Sequence, residues 1–150
     1  MKNLFDPGVV DEIHHRINQL SNTSSSQWGK MNVAQMLAHC VKPMEMALGE
    51  IPVTKAGLFK RIIGRMIKSV VTSPKPYKQG LPTDPTFVTI STEYDFNQSK
   101  ERLITMLNKY MQQQNNVANI PHPFFGKLTK EECGMSQFKH LDHHLRQFGA

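Results

Sequence analysis

Four segments of the chain carry helical periodicity, and the second and third are joined by residues 49–95, far more chain than a tight turn requires. A short connection forces neighbouring helices antiparallel, whereas a long one lets them run parallel. The sequence therefore predicts an all-α fold, a four-helix bundle with one long crossover between helices two and three. All 150 residues are expected to form a single helical-bundle domain, with an insertion at approximately 50–95. Apolar residues make up 39% and charged residues 20%, the balance of a soluble globular chain and not of a disordered tail.

Each segment has its own start and stop chemistry. The first helix is expected from Pro7 to Leu20, with Asp6 as N-cap, Pro7 in the first helical position and an apolar stripe of Val9, Val10, Ile13, Ile17 and Leu20. The second opens at Asn32, which forms a capping-box pair with Gln35, and buries Val33, Met36, Leu37, Cys40 and Met44 before Gly49 stops it. Pro43 lies inside this helix and removes the bond to the carbonyl of His39, so a kink is expected there. The third opens near Asp95 or Asn97, carries Phe96, Leu103, Leu107 and Tyr110, and fades in the polar run from Gln112. The fourth opens on a T-x-x-E capping box, Thr129 and Glu132, and runs to Phe148 before Gly149.

The crossover has a character of its own. Residues 55–71 read as an extra amphipathic helix with Leu58, Phe59, Ile62, Ile63, Met66, Ile67, Val70 and Val71 on one face. Pro74, Pro76, Gly80, Pro82 and Pro85 then require loop, and Phe87 to Thr92 reads as a short strand. Of the 18 Lys and Arg that give the chain its net charge of +6, Lys55, Lys60, Arg61, Arg65, Lys68, Lys75 and Lys78 fall here, with no acidic residue between Ile51 and Thr83. The remainder is close to neutral, so the basicity is one local patch and does not predict strong nucleic-acid binding. The extra helix is expected to pack on the bundle and border the functional cleft; the alternative for its apolar stripe is a homodimer contact.

No stretch approaches the roughly 20 apolar residues of a membrane span. The N-terminus lacks the apolar core of a secretory signal, and two cysteines cannot make a disulfide framework. A cytoplasmic location is expected.

The chemistry concentrates in histidine. His140 and His144 stand four apart, one above the other on a helix face, a spacing that lets two imidazoles converge on one ion. With Cys133 and Gln137 they lie along the edge of the core stripe formed by Phe138, Leu141, Leu145 and Phe148, while Lys139, Asp142, His143 and Arg146 are expected on the opposite side. His39 repeats this edge position on the kinked second helix. His14 and His15 read as surface or bundle-edge residues, and His122, between two prolines, as a structural loop residue. Cys133, in the first turn of the last helix, and Cys40 read as core.

Three stretches resemble a known family. KHLDHHLRQFG at 139–149 resembles the final helix of the DinB/YfiT-like family of four-helix-bundle, metal-dependent enzymes, and WGKMNVAQMLAHC at 28–40 resembles its second helix. HPFFGKLTKEECG at 122–134 is similar to the segment that precedes the last helix in one branch of that family. The resemblance implies that His39, His140 and His144 are ligands of a divalent transition metal, and it implies transfer of a low-molecular-weight thiol, hydrolysis or isomerisation.

Three neutral imidazoles leave open positions on an ion, as catalytic sites do, and would let it activate a water or a thiol at neutral pH. Zinc, nickel and iron all suit imidazole. Gln35 and Gln137, one turn from His39 and His140, are the candidate acceptors for the second ring nitrogens. The expected function is a metal-dependent transferase or hydrolase acting on a small-molecule substrate in an apolar cleft. The competing expectation is a non-enzymatic bundle that binds a ligand, membrane surface or nucleic acid through the basic insertion.

Overall fold

In the computed structural model the described residues are 2–52, 64, 68–73, 75–80, 87, 90, 92–123 and 125–150. Among them the principal helices are α1 (Val9–Gln19), α2 (Val33–Ala47), α3 (Phe96–Gln112) and α4 (Lys130–Gln147). The bundle is all-α, as its periodicity requires. The apolar face of the expected extra helix at 55–71 lies largely outside the described residues, although residues 68–71 are helical and Val71 is buried.

Three of the four starts follow from cap chemistry. Asn32 and Gln35 form the complete capping box at the head of α2, and Thr129 and Glu132 form the second at the head of α4. The Asp95 side chain accepts from Gln98 N at 2.8 Å to cap α3. The expected start of α1 is corrected. Gly8, with φ 77°, holds the N-cap position without a side-chain bond, while the Asp6 carboxylate turns back to accept from Asn3 N at 2.9 Å. A tight turn that folds Asp6 onto Asn3 removes it from the helix end, and only glycine takes the left-handed conformation that follows without cost.

Pairs of contacts give the helix directions. Glu45 meets Arg102 and Glu50 meets Lys109, so positions rise together along α2 and α3 and the two run parallel. His39 meets His140 whereas the Trp28 carbonyl meets Gln147, so α2 and α4 are antiparallel. The Leu4 N–H bonds the Gly134 carbonyl and Arg16 pairs with Asp142, which sets α1 alongside α4 in the same sense. The long crossover thus does what its length permits. Ile13, Ile17, Leu37, Met44, Leu103, Leu107, Leu141 and Leu145 meet in the core. Tyr110 is fully buried and stacks on Phe5, ring centroids 5.7 Å apart.

The expected strand at 87–92 is not formed at its described positions. Phe87 is in a 3-10 turn of helix, Ile90 in a turn and Thr92 in a bend, and their carbonyls go to side chains of α2 instead of to a partner strand. His122 and Gly126 make a single isolated bridge in the loop before α4, and the His122 ring stacks on Phe125 at 4.2 Å, a structural role. No helix among the described residues is long and apolar enough to cross a membrane.

Removing the Thr129 hydroxyl strips α4 of a capping bond. Thr129→Ala should lower unfolding stability by about 1 kcal/mol, read as a shift of the urea midpoint with unchanged slope.

Candidate metal centre

The capping boxes fix where α2 and α4 begin, and hence which residues face each other across the seam between them. His39 comes from the middle of α2, His140 and His144 from the last half of α4. Their ring centroids form a near-equilateral triangle: His39–His140 4.9 Å, His39–His144 4.7 Å, His140–His144 4.7 Å. The rings are steeply tilted, at 52° to 77°, so their edges and not their faces converge. One nitrogen from each lies within 4.8 Å of the others. The three residues singled out in the sequence are brought together.

The outer nitrogens decide what the inner ones can do. His39 Nδ1 lies 2.9 Å from the Phe87 carbonyl. A carbonyl only accepts, so Nδ1 carries the proton and Nε2 keeps a lone pair. The Gln147 amide applies the same constraint to His144. Gln147 Nε2 donates to the Trp28 carbonyl at 2.6 Å, which leaves Oε1 to accept from His144 Nδ1 at 2.8 Å. His144 Nε2 is thereby left as a lone-pair donor. Gln147 is only 3% exposed, and a Cβ at Gly29 would lie 2.5 Å from its Nε2, so the turn after Trp28 closes directly over the amide.

His140 Nε2 lies 3.0 Å from His39 Nε2. Its Nδ1 is buried without a partner among the described residues, and so is Oε1 of Gln137, one turn earlier on the same helix.

The donor set fits a transition metal. Ligands about 2.0–2.1 Å from a tetrahedral ion lie roughly 3.3 Å apart, close to the 3.0 Å between the His39 and His140 nitrogens. Burial also keeps the rings uncharged. It holds the pKa of His39 down, against the opposing pull of the Phe87 carbonyl. It holds His140 well below the usual range, helped by the neighbouring histidines, and lowers His144 from 6.5 to about 3, with repulsion between charged forms of His144 and His39 adding to burial. At neutral pH the site is three neutral imidazoles, the form that binds metal.

Three expectations about this region are corrected. Gln137 is expected to accept from His140, yet neither its Oε1 nor His140 Nδ1 has a partner among the described residues. Gln35 was expected to accept from His39; its amide instead donates to the carbonyls of Ile90 at 2.8 Å and Thr92 at 3.2 Å, and the Phe87 carbonyl takes the His39 proton. Lys139 and His143 were expected on the exposed side of the last helix, yet they are 4% and 8% exposed. The crossover covers that side. Tyr77 packs against His143 with centroids 5.8 Å apart, and Trp28 closes from the other flank at 5.7 Å. Tyr77 itself is buried enough to push its hydroxyl pKa up to about 12, against a hydrogen bond with Ser136. The cysteines are core residues: burial pushes the Cys133 thiol up to about 11, helped by Glu132, and Cys40 higher still. His15 is exposed and bonds Gln19.

A family model described as "Protein of unknown function (DUF1569)" matches residues 6–150. The chain belongs to this family. No curated protein and no solved structure matches it.

Two outcomes follow from the proton inventory. Gln147→Leu removes the acceptor that orients His144 and should weaken metal binding about 10- to 100-fold, measured by competition with a chromogenic chelator. Because His144 binds its proton near pH 3 when folded and near 6.5 when unfolded, acid favours the unfolded chain between those values. The melting temperature of the metal-free protein should fall as the pH is lowered from 6.5 towards 3, and the slope should be shallower in His144→Leu.

Proposed function

We propose that this chain is a metal-dependent enzyme in which His39, His140 and His144 hold one divalent transition ion, zinc, nickel or iron, and act on a small-molecule substrate. The observation that carries the reading is the fixed proton inventory. The Phe87 carbonyl and the Gln147 amide each occupy an Nδ1–H, so Nε2 of His39 and of His144 carries a lone pair and no proton of its own at neutral pH. Three protein ligands leave a coordination position open, which structural sites do not. When bound, the ion would supply Lewis acidity at that position.

The protein's own part is to bind and orient. Gln147 and Phe87 hold two rings at fixed angles, and the buried surroundings keep the rings uncharged. The resemblance of residues 28–40, 122–134 and 139–149 to the DinB/YfiT-like family supports thiol transfer or hydrolysis as the reaction class, with a low-molecular-weight thiol as co-substrate. Two free, buried cysteines suit a cytoplasmic setting.

Elemental analysis of the purified chain, followed by titration with divalent metals, tests the reading. About one equivalent should bind to the wild type and to His14→Ala, and far less to His144→Ala. Equal metal content in wild type and His144→Ala would overturn it.

A further inference from the structure

Lys139 has a role that neither the bundle core nor the three-histidine triangle explains. It is 4% exposed and forms no ion pair with a carboxylate among the described residues. Its Nζ donates to the Val70 carbonyl, to the Ser73 carbonyl at 3.1 Å and to the Ser73 hydroxyl at 3.2 Å, and lies 4.6 Å from the centre of the Tyr77 ring. All of these acceptors belong to the crossover. Residues 68–71 are helical, so the carbonyls at their end have no helical donor to take. An ammonium there satisfies several at once, and it sits where the helix end is negative.

The placement of this clamp matters. Lys139 adjoins His140 on α4, whereas the same crossover delivers the Phe87 carbonyl to His39 on α2. Described residues of the crossover are therefore fastened to both ligand-bearing helices, Val70, Ser73 and Tyr77 to α4 and Phe87 to α2. One of its fastenings is itself the bond that fixes the tautomer of His39. An ion at the triangle needs the His39 Nε2 lone pair; the Phe87 carbonyl needs Nδ1–H. Both select the same tautomer, so each strengthens the other, and binding couplings of this kind are reciprocal.

We infer that Lys139 is a positioning residue that fastens Val70, Ser73 and Tyr77 of the crossover to α4 beside the site, and that this fastening and metal affinity are coupled through the His39 imidazole. The inference rests on the three-histidine metal reading. A ligand on α2 is thus sensitive to a side chain on α4 that never touches the ion.

The test uses the full chain with zinc(II) as the probe. Lys139→Met keeps the length of the side chain and removes its charge and donors. It should bind zinc about tenfold more weakly than wild type in chelator competition. Hydrogen exchange supplies the second readout: zinc should slow amide exchange across residues 68–73 in the wild type, and this protection should be lost in Lys139→Met. Should Lys139→Met fail to fold, the wild-type exchange measurement decides alone. Wild-type affinity in Lys139→Met, or zinc that leaves exchange at 68–73 unchanged in the wild type, overturns the coupling while the metal reading stands. A wild type that binds no zinc removes the metal reading, and the coupling with it.

Discussion

The His39 imidazole carries one proton and one lone pair, and the structure commits them to opposite directions. Its Nδ1–H is taken by the main-chain carbonyl of Phe87, and its Nε2 faces His140 at 3.0 Å. The rest of the site depends on that commitment. The capping box of Asn32 and Gln35 sets the phase of α2 that points His39 into the seam. The parallel course of α2 and α3 requires the long crossover, and the crossover supplies the carbonyl. A shorter connection would have removed the acceptor along with the topology.

Desolvation favours the same state. A buried imidazolium without a carboxylate beside it is costly, so His39, His140 and His144 are held neutral by the packing of the bundle. Two of the three rings, His39 and His144, have their outer protons engaged, and the inner nitrogens of all three converge within 4.8 Å, an arrangement that could hold a cation. On the outer side of the third ring, the buried Nδ1 of His140 and Oε1 of Gln137 have no partner among the described residues. Unsatisfied buried polar atoms are uncommon in stable cores.

The parts of this arrangement that are local were legible in the sequence. The two capping boxes, the Asp95 cap and the edge-of-stripe position of His140 and His144 are all encoded within a few residues of one another, and the structure forms each of them. The pairing of His39 with that couple was suggested by its matching edge-of-stripe position on α2, and the structure brings the three rings together. What could not be read was set by distant chain. The acceptor for His39 is a backbone carbonyl far along the crossover, and a carbonyl has no residue signature. Gln147 acts on His144 from one turn away, a spacing as visible as that of Gln137, but its orientation is fixed by the Trp28 carbonyl. The exposed face assigned to Lys139 and His143 was a helical-wheel inference, which fails wherever another segment covers the wheel. Asp6 and Pro7 carried good helix-start chemistry, and a competing turn at Asn3 took the carboxylate.

The account stands on the tautomers of His39 and His144. Long-range proton–nitrogen correlation spectra of the imidazole rings in metal-free protein at neutral pH read them directly. The account predicts that both rings are neutral and protonated at Nδ1, with Nε2 unprotonated. Spectra showing Nε2–H tautomers, or charged rings at these two positions, would contradict it.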